Sequence, residues 1–115
     1  MRVGILATGS YLPEKVLSNR DLEKMVKTSD ESITTRTGIR ERRISDAATP
    51  TSVLGTRAAE ACLARAGVDP KDLDCILTAT ITPDMPLPAT ACYIQAQLGA
   101  SKAACMDIVA ACSGF

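Results

Sequence analysis

The sequence predicts an α/β fold, because strand-like and helix-like segments alternate along its 115 residues. Residues 75–81 and 104–110 are nearly continuous apolar or β-branched runs, which are typical of parallel strands buried on both faces. A segment with helical spacing of small and apolar residues precedes each run, at residues 49–66 and 89–98. This order predicts crossover connections between parallel strands.

The first part of the chain is predicted to contain one strand and two short helices. Residues 3–8 form an apolar run that predicts a buried first strand. Ser18, with Asp21 three residues later, predicts the start of a short helix. The residues expected on the inner face of that helix are Leu22, Met25 and Val26. A second helix is predicted to begin at 28–31 and to end at Gly38, since glycine commonly follows a helix C-terminus.

A longer helix is predicted from residue 50 to Ala66. Thr49 is expected to be its N-cap, Pro50 its first residue, and Gly67 its stop. One face of this helix carries small and apolar residues, namely Leu54, Ala58, Ala61, Cys62 and Ala66. That face is predicted to pack in the core.

Composition excludes several classes of function. Thirteen basic residues balance thirteen acidic ones, so no net charge attracts nucleic acid or an acidic membrane. Aromatic residues make up 3% of the chain, too few for a base-stacking surface. The apolar run at residues 3–7 is too short for a signal peptide or a membrane span. We expect a cytoplasmic protein that binds neither nucleic acid nor membrane.

The chain has five cysteines and no histidine. No two cysteines have CxxC spacing, so the sequence predicts no metal site. Free thiols in a reducing cytosol are expected instead. Cys62, Cys75 and Cys92 are predicted to be core residues.

Cys112 is the predicted nucleophile. It follows the strand-like run 104–110, and Ser113 and Gly114 suit a tight turn into a helix. A thiol at the N-terminus of a helix is stabilised as thiolate by the helix dipole. Without histidine, the chain itself offers no imidazole base for this cysteine.

Two further segments carry candidate functions. Four arginines occur within eight residues, at positions 36, 40, 42 and 43. They predict either an anion-binding site or a solvated charged loop in which Glu41 is a partner. The proline-rich loop 82–88 follows a predicted parallel strand, and such loops tend to line the binding crevice.

Four stretches together resemble the N-terminal part of the β-ketoacyl-acyl-carrier-protein synthase III family of condensing enzymes. They are residues 9–13 (GSYLP), 28–31 (TSDE), 35–43 (TRTGIRERR) and 107–115 (DIVAACSGF). The resemblance implies a thiolase-like layered fold of two similar α/β halves, usually assembled as a homodimer. Residues 1–115 are then most of the first half, with the C-terminal half absent. We expect a longer polypeptide or a segment completed by another chain.

The resemblance also implies a reaction that starts fatty-acid synthesis. Cys112 takes an acetyl group from acetyl-CoA, which is a substrate, and no cofactor is implied. Malonyl-acyl-carrier protein then loses carbon dioxide and condenses with the acetyl group. The family's histidine and asparagine, which assist decarboxylation, lie downstream of the matched segment.

Other site residues are implied position by position. Thr28 and Arg36 match residues that contact CoA, and Arg40 is a further candidate. Ser32 stands where the family usually has a tryptophan that stacks on adenine, a contact of about 1–3 kcal/mol. Leu87 matches a residue that closes the acyl pocket of the partner subunit.

Three functions remain open from the sequence. One is the condensing acyltransferase itself. A related acyltransferase of specialised metabolism with a different donor is favoured by Ser32. A non-catalytic segment is favoured by the absence of histidine.

Overall fold

A computed structural model describes residues 3–115, which divide into two compact units. The larger unit comprises residues 3–11 and 47–115, and the smaller unit comprises Leu12–Asp46. In chain order the elements are β1 (Val16–Ser18), α1 (Asn19–Glu23), α2 (Asp30–Thr37), β2 (Glu41–Arg43), α3 (Thr51–Ala66), β3 (Cys75–Ala79), α4 (Thr90–Leu98) and β4 (Ala104–Ile108). Single 3₁₀ turns occur at Pro70–Asp72 and Ala111–Gly114.

The larger unit confirms the predicted alternation of helices and parallel strands. Strands β3 and β4 pair in parallel, with Cys75 opposite Ala104 and Ala79 opposite Ile108. Helix α4 connects them and packs on the sheet, and α3 packs on α4. Both helices end at glycines with positive φ, Gly67 at 65° and Gly99 at 70°. Those backbone angles favour glycine, which explains why both predicted helix ends are correct.

The prediction that the strands are buried on both faces is wrong. Exposure alternates along β3, and Leu77 is 59% exposed while Met106 on β4 is 58% exposed. Cys75 lies on this exposed face, so its assignment to the core is also wrong. The reason is that α4 covers only the opposite face of the two-stranded sheet. The buried apolar residues cluster around that helix: Ala91, Ile94, Ala100 and Ala103.

The predicted first strand at residues 3–8 does not form. Val3, Ile5 and Leu6 are each more than four-fifths exposed. A strand requires a ladder partner, and no described residue pairs with this segment. The segment instead ends at Gly9, which lies so close to α3 that a Cβ atom there would overlap the backbone of Ala58 and Cys62.

The smaller unit contains a pair of strands that the sequence did not reveal. Strands β1 and β2 pair antiparallel, with Val16 opposite Arg43 and Ser18 opposite Glu41. Each strand has only three residues, and β2 consists of glutamate and two arginines, so neither shows the apolar alternation that predicts a strand.

The two short helices of the smaller unit are confirmed. The Ser18 side chain accepts from the Asp21 N–H, and the Ser18 N–H donates to the Asp21 carboxylate at 3.2 Å. These reciprocal bonds form a capping box. Of the predicted inner face, Leu22 is half-buried, but Met25 and Val26 are more than half exposed because α1 already ends at Glu23.

Asn19 joins the elements of the smaller unit. It is buried, and its side-chain amide donates to Asp30 at 2.7 Å and to the Ile39 carbonyl at 2.8 Å. Its side-chain oxygen accepts from Arg42 at 2.7 Å, and its backbone N–H donates to the Arg40 carbonyl at 3.1 Å. One side chain therefore links α1, α2 and β2.

Among the helices of residues 3–115, none is long and apolar enough to cross a membrane.

Candidate active site

A pocket of about 390 Å³ opens at the carboxyl ends of β3 and β4. Its lining consists of Ala79, Thr80, Ile81, Thr82, Ala111 and Cys112. In parallel α/β sheets this edge is where ligands bind, because loops diverge there and leave a crevice. The pocket therefore contains the predicted nucleophile and the beginning of the predicted crevice loop. Residues 83–88 of that loop do not line it.

Cys112 lies on a strained turn immediately after β4. Ala111, the residue before it, has φ of 46°, and it is the one non-glycine residue of the described chain with positive φ. Such a backbone costs a residue with a Cβ about 1–2 kcal/mol. The Ser113 N–H donates to the Ala110 carbonyl at 2.9 Å and closes the turn. The strained corner turns the chain out of the sheet and leaves Cys112 exposed.

The helix predicted to follow Cys112 would lie beyond the described residues, which therefore do not test it. Residues Ala111–Gly114 form one 3₁₀ turn of four residues. A single turn of this kind has too few aligned peptides to supply the dipole of a helix. Stabilisation of the Cys112 thiolate by a helix dipole therefore stays a prediction.

Gly114 holds this turn against the ends of both strands. A Cβ atom built at Gly114 would lie 3.4 Å from the Cβ of Ala79 and 3.6 Å from the Ile108 carbonyl oxygen. The Thr80 N–H donates to the same Ile108 carbonyl at 3.2 Å, which extends the ladder past the end of β3. These contacts place the base of the Cys112 turn directly on the sheet.

Two threonine hydroxyls are the polar side chains of the pocket lining. The Oγ1 atoms of Thr80 and Thr82 lie 3.4 Å apart, and the Thr82 N–H donates to Thr80 Oγ1 at 3.1 Å. Thr82 belongs to the loop that was predicted to line the crevice, whereas Thr80 was not predicted as a site residue. Their position just beyond a predicted parallel strand was the available signal.

The other four cysteines have different surroundings. Cys62 is half-buried on α3, and its Sγ lies 3.4 Å from the Ala7 carbonyl oxygen. Burial raises the pKa of the Cys105 thiol, and the neighbouring Cys92 thiol adds to this rise. A raised pKa disfavours the thiolate. Cys112 is the one cysteine of the five that lines the pocket.

The candidate CoA residues lie in the smaller unit. Ser32 and Arg36 are one turn apart on α2, so they share a face of the helix, and Thr28 precedes that helix. Thr28 and Ser32 are half-buried, and Arg36 is exposed. Ser29 caps α2 by accepting from the Ser32 N–H at 3.1 Å.

The four arginines divide into two pairs. Arg42 donates to the Leu17 carbonyl at 3.2 Å as well as to Asn19, so it holds β2 in place. Arg43 donates to the Pro13 carbonyl at 3.2 Å and pairs with Glu41 at 3.6 Å, which confirms Glu41 as a partner. Arg36 and Arg40 are exposed and remain available to an anion.

Leu87 is 82% exposed on the loop between β3 and α4. It does not line the Cys112 pocket of its own chain.

The fold and the site together define a class of protein. Among solved structures, 3-oxoacyl-[acyl-carrier-protein] synthase III from Aquifex aeolicus superposes with a TM-score of 0.90 at 54% identity, covering 96% of this chain and 36% of that one. The priming β-ketosynthase of the R1128 polyketide pathway superposes with a TM-score of 0.87 at 34% identity, covering 96% of this chain and 35% of that one. The chain therefore has the thiolase-like α/β fold of condensing enzymes.

Sequence comparison identifies the family within that class. A β-ketoacyl-[acyl-carrier-protein] synthase III of Caldanaerobacter subterraneus is 62% identical over 112 residues, which is 97% of this chain and 34% of the relative. One from Bacillus pumilus is 58% identical over the whole chain and 37% of its own length. No protein-family model matches the chain. The chain belongs to the β-ketoacyl-[acyl-carrier-protein] synthase III family and spans about a third of the length of the curated relatives it matches.

Proposed function

We propose that this chain supplies the nucleophile of a condensing acyltransferase that starts fatty-acid synthesis. The observation that carries the proposal is Cys112, an exposed thiol on a strained turn at the mouth of a pocket. The family membership of the chain supports the same reaction class.

In the first step the Cys112 thiolate attacks the thioester carbonyl of acetyl-CoA. A bond forms between Cys112 Sγ and the carbonyl carbon, and the bond from that carbon to the CoA sulfur breaks. CoA leaves as a thiolate and takes up a proton. The negative charge that develops on the carbonyl oxygen requires fixed N–H donors, and the backbone N–H of Cys112 is a candidate.

In the second step malonyl-acyl-carrier protein loses carbon dioxide. The electron pair left on its α-carbon attacks the acetyl carbonyl, a carbon–carbon bond forms, and Cys112 leaves as thiolate. The product is acetoacetyl-acyl-carrier protein, and no cofactor is consumed. Decarboxylation needs groups that stabilise the carbanion, and the chain contains no histidine for that purpose. We place those groups on polypeptide beyond the segment described here.

Binding of CoA falls to the smaller unit in this proposal. Arg36 is exposed and suits a phosphate, Ser32 lies one turn before it on α2, and Thr28 precedes the helix. Leu87 closes the acyl pocket of a partner subunit in a homodimer. Acyl-carrier protein is the second partner, and the cytoplasm is the proposed location.

A condensation assay on the full-length protein tests the proposal, with acetyl-CoA and malonyl-acyl-carrier protein as substrates. Cys112→Ser is expected to lower turnover by at least about a thousandfold, the scale on which removal of a catalytic nucleophile acts. Cys75→Ser is the matched control, because Cys75 is also exposed but lies outside the pocket. A Cys112→Ser protein that keeps a tenth of the activity contradicts the proposal.

Two observations favour a second candidate function. Ser32 leaves α2 without an aromatic surface for adenine, and the chain also resembles a priming ketosynthase of a polyketide pathway. An acyltransferase of specialised metabolism with a donor other than CoA would show both features. Competition between acetyl-CoA and acetyl-acyl-carrier protein separates the two: preference for the carrier-bound donor selects the second. The third candidate, a segment that is non-catalytic by itself, fails if the purified 115-residue chain is acetylated at Cys112 and condenses unaided.

A further inference from the structure

The loop 82–88 is tied at its first end to the N-terminus of α3. Asp84 accepts from the Ser52 N–H at 2.8 Å and from the Ser52 hydroxyl at 2.5 Å. The Thr51 hydroxyl donates to the Thr82 carbonyl at 2.6 Å. Ser52 is buried, so these bonds are protected from competing water.

The second end of the loop is tied to β4. The two carboxylate oxygens of Asp107 accept from the N–H groups of Thr90 at 2.6 Å and Ala91 at 2.9 Å. Thr90 and Ala91 are fully buried and begin α4, two residues after Pro88. Asp107 is also five positions before Cys112 on the same strand and turn.

These contacts replace the local caps of both helices. Pro50 and Ala89 occupy the N-cap positions of α3 and α4, and neither has a side chain that caps its helix. An ordinary cap is provided by a residue next to the helix. Here the carboxylates are 32 and 17 positions away, so each bond also fixes a distant segment.

Between the two ties, the loop presents apolar side chains to solvent. Leu87 is 82% exposed and Met85 is 45% exposed, although the Tyr93 hydroxyl donates to Met85 Sδ at 3.0 Å. Exposed loop tips with little packing are ordinarily the mobile parts of a fold. Leu87 therefore depends for its position on the ends of its loop.

We propose that Asp84 and Asp107 are positioning residues that clamp the loop 82–88 and, through Leu87, set which acyl chains the site accepts. The inference rests on the proposed function, in which Leu87 closes the acyl pocket of the partner subunit. Asp107 lies on the strand that leads to Cys112, so the clamp couples the Leu87 loop to the strand that carries the nucleophile.

The two aspartates predict different effects of an asparagine substitution. Asp107 uses both oxygens to accept backbone N–H groups, so Asp107→Asn places an NH₂ donor against an N–H donor. Asp84 faces one N–H and one hydroxyl, and a hydroxyl can also accept. Asp84→Asn should therefore preserve its tie, while Asp84→Ala should lose it.

The test measures acyl-chain selectivity and loop opening in the full-length protein. The substrates are acetyl-CoA and the bulkier isobutyryl-CoA, and hydrogen exchange is followed over residues 82–91. We expect Asp107→Asn and Asp84→Ala to lower the acetyl to isobutyryl ratio of kcat/KM by about threefold or more, the scale of a relaxed apolar pocket. Exchange should rise about tenfold, as the loss of one buried bond predicts. Asp84→Asn should stay within about twofold of the unsubstituted protein in both measurements.

Asp69→Asn is the matched control. Asp69 also accepts a backbone N–H, from Lys71 at 2.9 Å, but on a turn outside the loop. Its selectivity ratio and loop exchange should be unchanged. An unchanged ratio in Asp107→Asn overturns the inference, whether exchange rises or overall activity falls, because the role is then only structural. If the unsubstituted protein transfers neither acyl group, the proposed function itself fails and this inference falls with it.

Discussion

Replacement of Asn19 should lower the stability of the smaller unit more than replacement of any single surface residue. Asn19→Ala removes a neutral bond to the Ile39 carbonyl and a charged bond from Arg42, both part-buried, and it also removes the bond to Asp30. A neutral bond contributes about 1 kcal/mol and a charged one about 1.5 kcal/mol at a half-buried position. Together they predict that the free energy of unfolding falls by about 2.5 kcal/mol or more.

The isosteric variant Asn19→Asp sharpens this prediction. Its new carboxylate would face Asp30, whose pKa is held below its usual value chiefly by the Asn19 hydrogen bond. Two carboxylates at hydrogen-bond distance repel each other, so this variant should be less stable than wild type at pH 7. Because protonation of either group relieves the repulsion, the deficit should shrink as pH is lowered.

Urea denaturation of the full-length protein, followed by a probe in the smaller unit, measures both effects. Lys24→Ala is the control, since its ion pair with Asp21 is exposed and should contribute nothing measurable. A loss below about 0.5 kcal/mol in Asn19→Ala would refute the view that this side chain holds the unit together. A deficit in Asn19→Asp that does not change with pH would refute the electrostatic part.

Three further predictions concern the capping box, the turn and the CoA face. Hydrogen bonding by Ser18 lowers the pKa of Asp21 from 3.8 to about 2. The stabilisation of the fold by ionised Asp21 should therefore be complete above about pH 4 and lost as pH falls toward 2. In Asp21→Asn, the free energy of unfolding should depend less steeply on pH in an acid titration. Ala111→Gly relieves about 1–2 kcal/mol of backbone strain but adds about 0.5–1 kcal/mol of conformational entropy to the unfolded chain. Thermal denaturation should therefore show equal or slightly higher stability. A clear loss of stability would contradict the strained turn. Ser32→Trp should strengthen CoA binding by about 1–3 kcal/mol in calorimetry, and unchanged affinity would show that α2 does not meet the adenine.

The alternation of the larger unit could be predicted because each of its elements has its own signal in the sequence. Gly67 and Gly99 stop helices through their backbone conformation, and the β-branched run at β3 needs no partner to be recognised. Exposure could not be predicted in the same way. Leu77 and Cys75 belong to a run that predicts burial, but the elements of this chain cover only one face of the sheet.

The long-range polar contacts of Asn19 and Asp107 could not be predicted from the sequence for a different reason. Asn19 has no periodicity or motif, and its role exists only when Asp30, Ile39 and Arg42 are brought around it. Asp107 likewise caps a helix that begins 17 positions earlier in the chain. Long-range polar contacts of this kind depend on the tertiary fold, which local patterns do not encode. Cys112 was predicted because small residues after a strand mark a turn, and the structure has a 3₁₀ turn at Ala111–Gly114.

The mass of the full-length protein after brief incubation with acetyl-CoA alone tests directly whether Cys112 is the nucleophile. We expect the gain of one acetyl group per chain, located by peptide mapping at Cys112 and absent from Cys112→Ser. Acetylation at another cysteine, or an unchanged mass while CoA binds, would contradict the assignment of Cys112 as the nucleophile.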